Sequence, residues 1–475
     1  MGRPHSVSRR LLLVQFLVSL CFSSVLHAAD ANQQSVLLGE RASGMGGAFV
    51  AMTGDPTSSY YNPAGLASLT KRGLSLSASA YQFSQETYPG AFDLRSRGLP
   101  VQADLESSYF TTFPASVVYV FPVSKPGDTN EHVLSASFLV PNHGRMEARL
   151  NTIDESYPLE VRARLFRESI TYWAGPSYGF GTGNLRIGLS LFGLAQVSTS
   201  RITLGQRFNV DTTNPNLVEK TETREEETVA ITSLIQLGLQ YRLTSALTAG
   251  ITFRSNTLGT HYQSGSILWF NNGHNSRGLS NTGSYVDRLE TSDISITYRR
   301  PWTLGVGFAY EKAHWAISLD SQFTGELPSH TVTQGEPIMP TDAEGNPVTT
   351  PSRTLDPNQV FAARMTFNAA LGFEYHFGPT WLTRLGIFSD RSGIDLEQIK
   401  SIGVAHPYMY PALDHYGLSV ALGHRGDLSS TSVGVVTTVG KGEVWRVSRD
   451  NDGDRSLADA SAFSVTLVLA GSTNL

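Results

Sequence analysis

Fourteen stretches of this chain alternate apolar and polar side chains with the period of two that a half-exposed strand requires. They lie at about 73–84, 111–121, 131–141, 165–180, 185–203, 227–242, 246–270, 285–311, 313–326, 359–377, 380–390, 413–425, 430–445 and 460–473. The links between them sort by parity. After even-numbered segments they are tight: Gly181 to Asn184, Leu243 to Ser245, Glu311-Lys312, Gly378-Pro379 and Gly426 to Leu428, with Pro122 to Asn130 somewhat longer. After odd-numbered segments they are long, polar and charged: 85–110, 142–164, 204–226, 271–284, 327–358, 391–412 and 446–459. A soluble sandwich has no reason to sort its loops this way, whereas an outer-membrane barrel carries short periplasmic turns and long outer loops. The pattern predicts an all-β fold, a 14-stranded antiparallel transmembrane β-barrel, with the fifth, seventh and eighth strands continuing above the membrane.

Aromatic residues point the same way. Tyr119, Phe121, Tyr178, Phe180, Tyr241, Phe308, Tyr310, Tyr375 and Phe377 lie just before tight links, and Trp315 and Trp381 just after two of them. Rings gathered at one end of five strands predict an interfacial girdle, since strands that are merely aromatic-rich scatter them along their length. The last segment alternates well through Phe463, Val465, Leu467 and Leu469, but the chain runs on to Leu475 instead of ending on an aromatic residue.

Residues 1–28 read as a secretory leader, with Arg3, Arg9 and Arg10 before an apolar core from Leu11 to Leu20 and a small-residue cleavage site at Ala28 or Ala29. The apolar core is too short to span a bilayer as a helix, and no later run is long enough. Cys21 is the single cysteine, and Leu20 before it is a poor residue for lipoprotein processing. The mature chain is therefore expected to have no disulfide and no thiol chemistry. The leader holds three of the 36 Lys and Arg; the remaining 33 face 41 Asp and Glu, a net charge of about −8 that excludes a nucleic-acid partner.

One stretch, Leu38 to Leu66, is neither strand nor long helix. Gly44, Gly46 and Gly47 let it bend sharply and approach other backbone closely. Asp55-Pro56 and Asn62-Pro63, the latter followed by Ala64, each pair a capping side chain with a proline suited to a first helical position. Two short helical turns are expected, in a piece that needs a container. The chain divides accordingly into a leader (1–28), an N-terminal hatch (29–70) and the barrel (71–475).

No motif for chemistry stands out. Gly44 to Gly47 lacks the strand and glycine spacing of a dinucleotide loop. Asp450 to Asp454 has its glycine one position early for a calcium loop and reads as a hairpin turn. His406, His415 and His424 are evenly spaced but fall across a loop and both ends of one strand. Serines abound, yet nothing pairs one with a base. The expectation is a non-enzyme with no cofactor and no metal.

Gly39 to Ala51, followed by Asp55-Pro56 and Asn62-Pro63-Ala64-Gly65-Leu66 near the mature N-terminus, resembles the start of the FadL/TodX-like outer-membrane transporter family, and also that of the related PorV-like barrels. The strand count, Arg300 to Tyr310 and Leu371 to Tyr375 are similar too. The resemblance implies a barrel plugged by its N-terminal segment, with Gly44, Gly46, Gly47, Asp55, Pro56, Asn62, Pro63 and Ala64 forming the hatch or gate. It further implies passive outer-membrane passage of hydrophobic molecules such as long-chain fatty acids, captured near the outside and released sideways through a gap in the wall. The implied partners are the hydrophobic ligand and outer-membrane lipid. A PorV-like scaffold for exported proteins is the alternative; a general porin is disfavoured by the plug-like N-terminus.

Overall fold

The computed structural model describes residues 32, 34–93, 102–125, 128–154, 159–209, 217–275, 283–292, 294–336, 358–401, 411–448 and 456–474. The leader, Cys21, His406 and the Asp450 to Asp454 turn lie outside them.

The wall begins with six long strands: β1 (Gly73–Asp93), β2 (Gln102–Pro122), β3 (Asn130–Asp154), β4 (Leu159–Thr182), β5 (Leu185–Asn209) and β6 (Leu217–Arg242). The seventh crossing is made in two pieces, β7 (Leu247–Arg254) and β8 (Thr260–Asn275). The eighth runs through β9 (Gly283–Thr291) and β10 (Ser295–Ile296) into β11 (Thr303–Glu311). Then come β12 (Trp315–Thr324), β13 (Leu327–Gln334), β14 (Gln359–Ala363), β15 (Thr366–His376), β16 (Trp381–Asp390), β17 (Ala412–Arg425), β18 (Ser429–Trp445), β19 (Val447–Ser448) and β20 (Leu457–Asn474). Fourteen antiparallel crossings result, because β10, β13 and β14 leave the wall to form a small sheet of their own and β19 only extends the rim. Antiparallel pairing of β1 with β20, from Gly73 opposite Asn474 to Thr87 opposite Ser461, closes the barrel.

The strand alternation is physical and two-sided. On β5, Leu185, Ile187 and Leu191 are exposed on the outer surface, while Ser190, Phe192, Leu194 and Gln196 are buried inside. Tyr119, Tyr178, Tyr241, Phe308, Trp315, Tyr375, Phe377 and Trp381 are all exposed near the tight turns, as a girdle at the polar boundary of an apolar belt requires.

Three of the links expected to be long loops, 85–110, 142–164 and 204–226, are largely strand. β3 and β4 pair up to Asp154 opposite Leu159, and β5 and β6 up to Asn209 opposite Leu217. These extensions bury Tyr88, Leu105, Met146, Ala148 and Leu165 in a cluster of their own, while charged cross-strand pairs such as Arg201–Glu225 (2.7 Å) replace the apolar residues of a lipid-facing surface. The seventh crossing, expected to be continuous, is broken at 255–259, where Gly259 has a φ of 71°.

Candidate functional site

The segment before β1 lies inside the barrel. It contains α1 (Glu40–Gly44), α2 (Ser58–Tyr61) and a 3₁₀ turn, Pro63–Ser68. Helix α1 packs against β16, β17, β18, β20 and β1, whereas the 3₁₀ turn packs against β3, β4, β5 and β6, so the segment reaches opposite walls. Leu38, Met45, Phe49, Met52 and Leu66 are fully buried by it.

Asn62 sits where the Asn-Pro spacing puts it. Its Oδ1 accepts from the Ala64 N–H (3.1 Å), and Pro63 occupies the first position of the 3₁₀ turn. The same side chain ties the segment down, with Nδ2 donating to the carbonyl oxygens of Val50 (2.7 Å), Leu239 (3.2 Å) and Ile251 (3.3 Å). Asp55 works less directly than its spacing implies. Helix α2 starts at Ser58, not Pro56, and Asp55 accepts from Thr57 N–H (2.8 Å) and Oγ1 (2.7 Å) and from Arg41 N–H (3.0 Å). Asp55 therefore joins the two halves of the segment. We expect Asn62→Ala to weaken docking by about 2 kcal/mol, a lost cap plus lost hydrogen bonds. Limited proteolysis of the assembled protein should then cut faster within 34–69 while the wall stays resistant.

Gly46 and Gly47 adopt φ values of 66° and 80°, which other residues tolerate poorly. Gly44 is small for a different reason, since a Cβ there would lie 2.9 Å from Arg384 Cβ. What the sequence reading missed is the matching set on the wall. Gly179, Gly188 and Gly238 stand in register across β4, β5 and β6. A Cβ on Gly188 would come within 2.2 Å of the Pro63 carbonyl carbon, and one on Gly238 within 2.0 Å of Asn62 Oδ1. Gly250 opposite Gly307 does the same for Val50, and Gly372 opposite Gly386 for Met45. These glycines form a seat that lets backbone lie on backbone.

A buried ion network clamps the other side. Glu374 of β15 is 1% exposed and accepts from Arg384 Nε of β16 (2.7 Å) and from Arg41 Nη2 (2.9 Å) and Nε (3.1 Å). Arg41 also reaches Glu311 (2.9 Å), and Arg384 reaches Glu40 (3.3 Å). Glu40 in turn accepts from the hydroxyls of Ser430 on β18 and Ser472 on β20. Burial works against the Arg41 charge, but Glu374 and Glu311 outweigh it and hold its pKa above the ordinary value. No three His, Cys, Asp or Glu among the described residues are grouped as a metal site.

Residues 108–115 of β2 and 140–147 of β3 exchange no ladder bonds, although the strands pair on both sides of that stretch, at Ser107–Ala148 and Ser116–Leu139. Pro114 and Pro141 lie in it and have no N–H to give. The N-terminal segment meets the vacated edge from inside: Val36 N–H donates to Pro141 O (3.0 Å), His143 N–H to Ser35 Oγ (2.9 Å) and Asn142 Nδ2 to Asn32 O (2.9 Å). Beside this gap is a cavity of about 220 Å³. Val36, Leu37, Phe388, Leu413, Val436 and Val468 give it an apolar wall, and Tyr109, Asn142 and Arg145 line it from the two strands that part.

Neither a protein-family profile nor a curated protein matches the chain. Solved structures do. A Pseudomonas aeruginosa FadL homologue matches with a TM-score of 0.56 and 12% identity, covering 94% of this chain and 100% of its own. The Pseudomonas putida toluene transporter TodX matches at 0.55 and 13%, covering 95% and 100%. The CymD monoaromatic hydrocarbon channel matches at 0.52 and 14%, covering 94% and 99%. At such identities the likeness is one of fold.

Proposed function

We propose that this barrel, which shares the fold of the FadL homologue and TodX, is an outer-membrane channel for passive passage of hydrophobic small molecules. The observation that carries this reading is a closed barrel whose lumen is filled by its own N-terminal segment, with an apolar-walled cavity opening beside a gap in the wall. An open pore serves polar solutes and needs no obstruction. A molecule soluble in lipid needs an occluded route with apolar walls and a way into the bilayer, and the stretch without ladder bonds between β2 and β3 is such a way. Residues 29–70 serve as the hatch, held by Gly44, Gly46, Gly47, Asp55, Pro56, Asn62, Pro63 and Ala64. Transfer follows the ligand's own gradient, since nothing in the chain reads as a nucleotide loop.

Among the solved structures that share this fold, TodX is a toluene transporter and CymD a monoaromatic hydrocarbon channel, which favours a non-enzyme and lends no support to a PorV-like scaffold. Two measurements test the reading. Proteoliposomes carrying the protein should take up a labelled hydrophobic compound faster than empty ones. Deleting residues 29–66 should leave a barrel that inserts and conducts small ions far better than the intact protein. Equal conductance of the two forms would mean the segment is not a hatch.

A further inference from the structure

We infer that Phe388 of β16 is the inner end wall of the cavity beside the gap and sets how long a molecule that cavity accepts. The inference rests on the channel reading and concerns only the reach of the cargo.

The cavity is laid along one row of the barrel's ladder. Phe388 stands opposite Gly417, Gly417 opposite Thr438, Thr438 opposite Ser464, Ser464 opposite Ser84 and Ser84 opposite Tyr109. Ladder partners face the same side of the sheet, so the row points inward as a unit. Phe388, Thr438, Ser464, Ser84 and Tyr109 all line the cavity. The row therefore runs from β16 to the stretch of β2 that has no ladder bonds to β3, with the gap at one end and an aromatic ring at the other.

Past the ring the surroundings change. The next residue of the row, Ala370 on β15, lines a second cavity of about 80 Å³, among Gln236, Arg254, Asp320 and Asn368. Gln34, Leu37, Phe388 and Asp390 line both cavities and form the partition between them. Its apolar half is Leu37, from the segment, and Phe388, from the wall; both pack with Val436 and Val468 in one cluster. Phe388 has small neighbours on either side, Ala370 and Gly417, and its ring lies over the second, where a Cβ would overlap Phe388 Cζ. One large side chain thus fills the row from β15 to β17. An apolar tail lying along the row meets this ring before it reaches the polar cavity, whose amides and charges would lose water to it and gain no bond. At the other end, bonds from residues 32–36 hold the edge of β3, among them Val36 N–H to Pro141 O (3.0 Å), so a longer molecule finds no slack there.

The test uses the straight-chain primary alcohols from butanol to dodecanol. They are bound to the detergent-solubilised full chain and to Phe388→Ala, and followed by ligand-observed NMR against free alcohol in the aqueous phase. Each methylene that finds apolar cover is worth roughly fourfold in affinity. Phe388→Ala vacates the space beside Leu37, Val436 and Val468, so short alcohols lose a contact and long ones gain room. The shortest should bind about threefold more weakly than to wild type, and the longest about tenfold more tightly. A variant that is merely loosened weakens the whole series alike. A ratio of affinities that does not cross with length therefore overturns the inference and leaves the channel reading standing. Phe388→Leu, which removes less, should cross in the same direction over a smaller span, and it decides the matter should the alanine variant fail to assemble. A wild type that binds none of the alcohols also overturns the inference. The channel reading falls with it only if proteoliposomes take up no labelled hydrophobic compound.

Discussion

Replacing Glu374 by alanine is expected to undock the N-terminal segment, with a loss of about 3–5 kcal/mol for a broken buried ion network. Glu374 is the hinge of that network, taking Arg384 at 2.7 Å from the wall and Arg41 at 2.9 Å from the segment. Without it, two guanidinium groups remain enclosed, with Glu311 and Glu40 as their nearest anions at 2.9 and 3.3 Å. Water must enter to solvate them, and it enters by displacing α1. Ion conductance across planar bilayers is the readout, because a segment lifted from one wall opens the lumen. Glu374→Gln keeps the shape and some hydrogen bonds, and should fall between wild type and Glu374→Ala. If all three conduct alike, the network does not hold the segment.

Gly188→Val should separate the segment from the wall more cleanly. Valine suits a strand better than glycine, so the barrel itself should hold or gain stability. The intact protein should behave oppositely, since the new Cβ would sit 2.2 Å from Pro63 C and 2.3 Å from Ala64 N. Both clashes are with backbone and cannot be relieved by a rotamer change, so docking should lose about 1–3 kcal/mol or more. Faster proteolysis within 34–69, together with unchanged thermal unfolding of a barrel lacking 29–66, is the expected pair of results. A loss of stability in the shortened barrel would assign the effect to the strand and not to its guest.

The sequence shows local physics well and distant physics poorly. Fourteen crossings were legible because lipid on one side of the wall enforces a strict alternation, as at Leu185, Ile187 and Leu191. The hairpins beyond those stretches were not, because charged pairs such as Arg201 and Glu225 stand where a lipid-facing strand would carry apolar residues. Asn62 was readable since its cap partner, Ala64, is two residues away. Gly188 and Gly238 were not, since what makes them small is the segment at 62–64, known only once the chain has closed around it. Arg41 and Glu374 lie 333 residues apart, and no spacing rule joins them. Pro114 and Pro141 could have signalled the gap, being prolines within wall strands that cannot donate to a ladder. Asp55-Pro56 misled by two residues: Asp55 Oδ1 does accept from Thr57 N–H, but regular helix opens only at Ser58.

The seam between β1 and β20 is also tied to the segment it encloses. The first and last strands meet there, and the chain that fills the lumen precedes the first. Glu40 touches Ser472 on the last strand and Ser430 on its neighbour. The carboxylate that Arg384 holds inside the barrel thus also bonds the last strand, so the seating of the segment and the register of the closing seam constrain one another.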